Sequence, residues 1–259
     1  MKEFGLQIYS IRDYFKNEED TRAAFKALSE MGYTNVQTAG LYEYIAPEKF
    51  RELLDEAGLT VCGTHYNYDK IVDDVEGTIA YHNTIGTKNI GIGGMPLPAR
   101  ENEEELQKFI DTYNKMAKIY GERGFKLTYH NHSFEFVKLS DGKTIFDRLV
   151  EQFDKENITF VLDTFWLQYA GIDVRDMMER LRGRVDILHL KDMTAKRDDS
   201  YPYPIVEVGT GVMNFKGIVE LADKIGVKYY VVEDDRCIPG ESLSCAKRSA
   251  EYIKSNLIK

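Results

Sequence analysis

Lys126-Leu127-Thr128-Tyr129-His130, Ile158-Thr159-Phe160-Val161-Leu162-Asp163, Val185-Asp186-Ile187-Leu188-His189 and Tyr229-Tyr230-Val231-Val232-Glu233 are four short apolar runs in the second half of the chain, each ending in a side chain able to bind a metal. Such runs read as strands buried on both faces. A His, Asp or Glu at every C-terminal end predicts polar groups converging at one rim of a barrel. The four residues are 33, 26 and 44 positions apart, close to one strand-helix unit each once a long loop is added to the last interval.

Outward from these runs, a strand-like segment followed by a helix-like one repeats about eight times. The pattern predicts strands over 4–9, 35–38, 60–64, 89–92, 126–130, 158–163, 186–190 and 229–233. Amphipathic stretches over 18–31, 47–57, 101–123, 174–181 and 215–225 lie between them. Gly32, Gly58, Gly86, Gly124 and Gly226 each sit just before the next strand, where a left-handed helix exit is wanted. Strict alternation implies a parallel sheet with helical crossovers, and the length is right for one closed (β/α)8 TIM barrel, a single domain over residues 1–259. The doubly wound alternative is disfavoured because the first strand-helix turn, Tyr9-Ser10-Ile11-Arg12-Asp13, lacks a Gly-rich phosphate loop. The one long irregular stretch, Thr194 to Asn214, follows the seventh strand on the rim side and is expected to be a lid.

Composition narrows the function. A hydrophobic content of 43% is ample for a core, and 43 acidic against 34 basic residues leave a formal charge of −9. No Lys/Arg block reaches four, so nucleic-acid binding is disfavoured: duplex affinity comes largely from neutralising phosphates. No apolar stretch reaches the roughly 18 residues of a membrane span. Met1-Lys2-Glu3-Phe4-Gly5 leads straight into a strand, and the expectation is a cytoplasmic protein. Cys62, Cys237 and Cys245 are odd in number and lack metal spacing, which predicts buried or incidental thiols rather than a disulfide framework.

A mixed set of carboxylates and imidazoles, His130, Asp163, His189 and Glu233, suits a divalent cation: Mn²⁺ or Co²⁺ first, then Zn²⁺, Fe²⁺ or Mg²⁺. Alternation along the fifth strand points His130 and His132 to one face, and Glu135 follows on the loop within reach as ligand or base. Candidates for substrate contact are His65 at the end of the third strand, Trp166 beside Phe165 as an apolar floor for a sugar ring, Lys191 and Glu207. Lys191 and Asp192 read either as supports of the imidazole before them or as an exposed ion pair, and His82 as a surface or packing residue. Lys196, Arg197 and Arg236 read as solvated charge, although an anionic substrate group would find them useful.

The motif order Leu162-Asp163-Thr164-Phe165-Trp166, His189-Leu190-Lys191-Asp192, Glu207-Val208-Gly209-Thr210-Gly211 and Val231-Val232-Glu233-Asp234-Asp235 resembles the xylose isomerase-like TIM-barrel superfamily, in particular its sugar phosphate isomerase/epimerase group, over essentially the whole chain. The resemblance implies a metal held by Asp163, His189 and Glu233. It also implies a small sugar or polyol as substrate, and it leaves a homo-oligomer open. In the ketose epimerases the fifth-strand ligand is usually a glutamate that shares acid/base work with the eighth-strand glutamate; here His130 stands at that position. Tyr129-His130-Asn131-His132 is instead similar to a branch containing inosose dehydratase-like members, in which His132 or Glu135 would take the missing role. DNA-repair enzymes on this barrel use more imidazoles than the five histidines present.

The implied chemistry is removal of a proton α to a carbonyl, giving an enediolate, with Glu233 as ligand and acid/base group and His130, His132 or Glu135 opposite. Isomerisation and epimerisation, the leading expectation, and inosose-type dehydration all pass through that intermediate. A non-catalytic sugar-binding or partner subunit is the alternative of another class.

Overall fold

The computed structural model describes residues 1–40, 45–195, 204–238 and 240–258. The barrel strands are β1 (Gly5–Gln7), β2 (Asn35–Thr38), β3 (Thr60–Thr64), β4 (Asn89–Ile92), β5 (Lys126–His130), β6 (Ile158–Asp163), β7 (Val185–Leu190) and β10 (Tyr229–Val232). They form one parallel sheet in the order β3-β2-β1-β10-β7-β6-β5-β4, a TIM barrel as expected. Between β7 and β10, the two-residue strands β8 (Asp192–Met193) and β9 (Ile205–Val206) pair antiparallel as a small ribbon above the rim.

Side-chain alternation sorts each strand into two faces. Outward residues such as Tyr129, Phe160, Leu162, Leu188, Leu190 and Val232 join the large core under the helices. Inward, Cys62, Val161, Ile187 and Val231 plug the cylinder in a small apolar layer of their own. Two residues further along β6, β7 and the β10 exit come Asp163, His189 and Glu233, so the apolar plug is the floor on which the polar rim stands. An irregularity in pairing between Phe160 and Val161 brings Asp163 level with His189.

Where β3 meets β4 the barrel closes by other means. Asn89 Nδ2 donates to the Cys62 carbonyl (2.7 Å), Gly91 N to Thr64 Oγ1 (3.3 Å) and Tyr66 N to the Gly91 carbonyl (2.7 Å). Gly91 is required there, since a Cβ would collide with the Thr64 carbonyl and the Thr128 hydroxyl. His82, fully buried, accepts from the Thr64 hydroxyl at Nε2 (2.9 Å) while Nδ1 donates to the Thr78 carbonyl (2.7 Å). It is therefore a packing residue of this seam and not a surface one.

The helices sit where the periodicity put them, with local differences. The expected helix over 101–123 is α6 (Glu103–Gly121), started by the Asn102 side chain, which accepts from Glu104 N and Glu105 N; a short separate helix not expected, α5 (Leu97–Glu101), precedes it. The first strand is shorter than 4–9. The Gln7 side chain accepts from Tyr9 N, and the chain turns into a 3₁₀ segment, Ile8–Tyr14. Helix α1 (Glu18–Met31) ends at Gly32 with φ 95°, as the glycine reading required. No helix among the described residues is long and apolar enough to cross a membrane.

Two expectations need correction. Cys237 and Cys245 are joined as a disulfide, with Cα atoms 6.5 Å apart; the turn between β10 and α11 (Ser242–Asn256) folds the eight-residue separation back on itself. Only Cys62 is a buried free thiol among the described cysteines. Asp192 is neither a support for His189 nor an exposed ion partner. It is buried, and its carboxylate accepts from the backbone N–H groups of Met193, Gly209, Gly211 and Met213 (2.8–3.2 Å), clamping the end of the 194–214 loop. The middle of that loop, with Lys196 and Arg197, lies outside the described residues.

Candidate active site

Four ligand atoms, one each from His130, Asp163, His189 and Glu233, lie within 4.8 Å of one another at the C-terminal rim, and all four residues are buried. Each is held by a different local device. Asp163 ends β6 and caps α8 (Thr164–Tyr169): Oδ1 accepts from Trp166 N (3.0 Å), which turns Oδ2 toward His130 Nε2 (3.3 Å) and His189 Nδ1 (3.6 Å). Its own N–H donates to Asn131 Oδ1 (2.9 Å). Glu233 Oε2 lies 3.1 Å from His189 Nδ1 and 4.0 Å from His130 Nε2.

The two imidazoles share one arrangement. His130 Nδ1 lies 3.3 Å from the Gly93 carbonyl oxygen, and His189 Nε2 lies 2.5 Å from Gln37 Oε1. Both partners only accept, so those ring nitrogens carry the protons and the other nitrogen of each ring turns toward the carboxylates. A ligating histidine is typically held this way, its far N–H fixed by a protein acceptor. Two ring nitrogens and two carboxylate oxygens converging in a buried space want a cation between them, so the donor set fits a divalent ion.

Lys191 supplies positive charge beside that point. Its ammonium is 1% exposed and lies 3.1 Å from Glu233 Oε2, 3.3 Å from Asp235 Oδ2 and 3.8 Å from Asp163 Oδ2. Burial alone would raise the Glu233 carboxyl, but Lys191 and then His189 hold it well below the usual carboxylate range. Asp163 behaves likewise: burial opposes ionisation, and Lys191 and His130 overcome it. Burial disfavours charged His189, yet Glu233 and Asp163 raise its pKa.

The group opens into a cavity of about 340 Å³ lined by Tyr9, His65, His130, His132, Lys191, Glu233 and Asp235 among others. A slightly larger cavity of about 410 Å³, beside Ile45, Tyr66 and Tyr81, contains none of the four donors. Of the expected contacts, His65 and Lys191 line the first cavity, and Trp166 packs against His132 with ring centroids 5.2 Å apart. His132 is half-buried beside His130, and its pKa is pushed down to about 3 by desolvation and by that neighbour.

Two expected residues face elsewhere. After His130 the chain turns into a short 3₁₀ segment, Phe134–Phe136, which swings Glu135 away from the rim: Oε1 accepts from Tyr129 Oη (2.7 Å) and Oε2 from His132 N (2.8 Å). Glu135 is thus a buried brace between strand and loop, its pKa pushed up to about 7 by burial. Glu207 pairs with Arg248 of α11, which draws it off the cavity. Arg236 is exposed. The sequence reading passed over Gln7 and Gln37, both fully buried; their signal was an uncharged polar residue at the inward end of an apolar strand.

Residues 25–255 match the xylose isomerase-like TIM barrel family. The chain belongs to that family. Among curated relatives, an inosose dehydratase of Clostridium perfringens is 26% identical over 172 residues, 59% of this chain and 55% of that protein, so the chain spans about half the length of this relative. Among solved structures, a sugar phosphate isomerase/epimerase from Parabacteroides distasonis superposes with a TM-score of 0.82 at 24% identity, covering 100% of both chains. A probable 3-DHS dehydratase involved in petrobactin synthesis from Bacillus anthracis gives 0.74 at 14%, covering 98% of this chain and 99% of that one. These structural likenesses establish the shared barrel.

Proposed function

We propose that this chain is a metal-dependent enzyme that removes a proton α to the carbonyl of a polyhydroxylated ketone and expels the hydroxyl on the next carbon, the reaction of an inosose dehydratase. The observation carrying this reading is the asymmetry of the groups facing the cavity. Glu233 is a carboxylate kept ionised by its neighbours, whereas the other titratable groups lining the cavity are imidazoles, the Tyr9 phenol, the Lys191 ammonium and Asp235, whose Oδ2 is engaged by Lys191 (3.3 Å); Glu135 is turned away. Epimerisation is best served by two comparable bases on opposite faces of one carbon. Dehydration wants one base and one donor.

His130, Asp163, His189 and Glu233 would hold the ion, which would act as a Lewis acid on the substrate carbonyl. Glu233 takes the α-proton; its contacts to His189 and Lys191 run through Oε2, so Oε1 is the oxygen placed to accept it. The Lys191 ammonium steadies the negative charge that develops on the substrate. The electron pair then expels the β-hydroxyl, a donor in the cavity protonates it to water, and the enol that remains relaxes to a 1,2-diketone.

The test is incubation of the Mn²⁺- or Co²⁺-loaded protein with an inosose. A diketone formed with loss of one water is expected. An isomeric ketose or inosose without water loss would move the assignment to isomerase or epimerase, which share the enediolate. Failure with every ketose and inosose would favour a binding subunit.

A further inference from the structure

We propose that His65 holds an oxygen of the substrate through its Nε2–H and that Gln7 is the residue that puts the proton there. The assignment starts from a group whose polarity is beyond choice, the main-chain N–H of Tyr9, which donates to Gln7 Oε1 (3.3 Å). That fixes which end of the Gln7 amide is oxygen. Gln7 Nε2 then has two hydrogens and two neighbours, Gln37 Oε1 at 2.9 Å and His65 Nδ1 at 3.4 Å. Since Gln7 donates, His65 Nδ1 accepts, and the neutral imidazole must carry its proton on Nε2. The reversed amide would set Gln7 Nε2 against the Tyr9 N–H, donor against donor.

His65 Nε2 is shielded from solvent and has no hydrogen-bond partner among the described residues, while the residue lines the cavity. Its ring is held beside the imidazoles of His130 and His189, with centroids 4.8 and 5.7 Å away, so the donor is adjacent to the four-ligand group. A fixed, neutral N–H with nothing to bind matches an oxygen that gains negative charge during the reaction. It also excludes His65 as the base. The same Gln7 amide reaches His189 through Gln37, so one side chain sets the proton positions of two rings.

This deepens the proposed function and takes its substrate from it, but the proton's position is read without substrate. In protein labelled with ¹⁵N-histidine, His65 is identified as the signal absent from His65→Gln. We expect it to show a protonated Nε2 and a bare Nδ1, and Gln7→Glu to reverse the two; should Gln7→Glu not fold, Gln7→Met is expected to mix them. A protonated Nδ1 in the wild type overturns the proposal. With inosose as substrate, His65→Phe should lower kcat by about 100-fold, the usual cost of one lost oxyanion donor, with KM little changed. His65→Gln, whose amide donates from a similar reach, should recover about tenfold of that loss. A kcat for His65→Phe within about threefold of wild type overturns the donor role. If the wild type converts no inosose, the proposed function falls. The donor role is then read from movement of the Nε2–H signal on adding the corresponding inositol, and an unmoved signal overturns it.

Discussion

The two halves of the barrel bring opposite chemistry to one rim. β5, β6, β7 and the β10 exit deliver charges and ring nitrogens aimed at one another: His130, Asp163, His189, Lys191 and Glu233. β1, β2 and β3 deliver neutral groups, Gln7, Gln37 and His65, joined in a hydrogen-bonded row. On the proposed function, the first half would hold the ion and supply the base. The second holds the proton of the His189 ring through Gln37, while His130 is held by the Gly93 carbonyl beyond β4.

The sharpest way to break this division is to delete a charge. Asp163→Ala or Glu233→Ala should abolish retention of added Mn²⁺ or Co²⁺ after dialysis. Without metal, each should also destabilise the fold by about 3 kcal/mol, toward the low end for a broken buried pair because Lys191 keeps other partners. Elemental analysis and urea unfolding in chelator check both, and full metal occupancy in both variants would count against the site. Gln37→Leu moves the comparison to the neutral half. It touches no carboxylate, yet should weaken metal affinity by about 10- to 100-fold through loss of the His189 support. Titration against a competing chelator decides, and wild-type affinity would show that the neutral half orients nothing.

Glu135 offers a pH test outside both halves. Its folded pKa of about 7 lies above the ordinary 4.5, so the folded chain holds this proton more tightly than the unfolded chain. Its stabilising contribution is present in full below about pH 4.5 and is lost as pH rises through about 7, on the order of 2–3 kcal/mol between pH 5 and 8. Glu135→Gln should flatten that part of the profile in urea unfolding at the two pH values; an unchanged slope would reject the assignment. The smallest effect belongs to the seam. Asn89→Ala should cost about 1 kcal/mol and speed amide exchange at Tyr66.

Much of this was legible in the order of residues, for a physical reason. A buried strand has period two, so a titratable group in step with Val161, Ile187 or Val231 has to face the lumen, and Asp163, His189 and Glu233 do. What stayed hidden depends on backbone turns a few residues long. Glu135 was within reach by count, but the 3₁₀ turn at Phe134–Phe136 sends it to Tyr129. Asp192 adjoins the ligand strand, but a reversal into the β8 and β9 ribbon gives it four N–H groups to bind instead. The Cys237–Cys245 pairing needed the turn after Asp235 to be known. Gln7 and Gln37 carry no charge to betray them, and their importance lies in the direction of a hydrogen bond.

A cylinder sewn by continuous backbone ladders from β3 round to β4, and at its remaining joint by Asn89, Thr64 and one Tyr66 bond, resembles a hoop with a latch. Breathing of the whole wall should begin at that latch, and new chain ends made by circular permutation between Thr64 and Asn89 should be the ones this architecture tolerates best. The latch lies next to His65, so opening there would first loosen the wall of the cavity that the proposed substrate occupies.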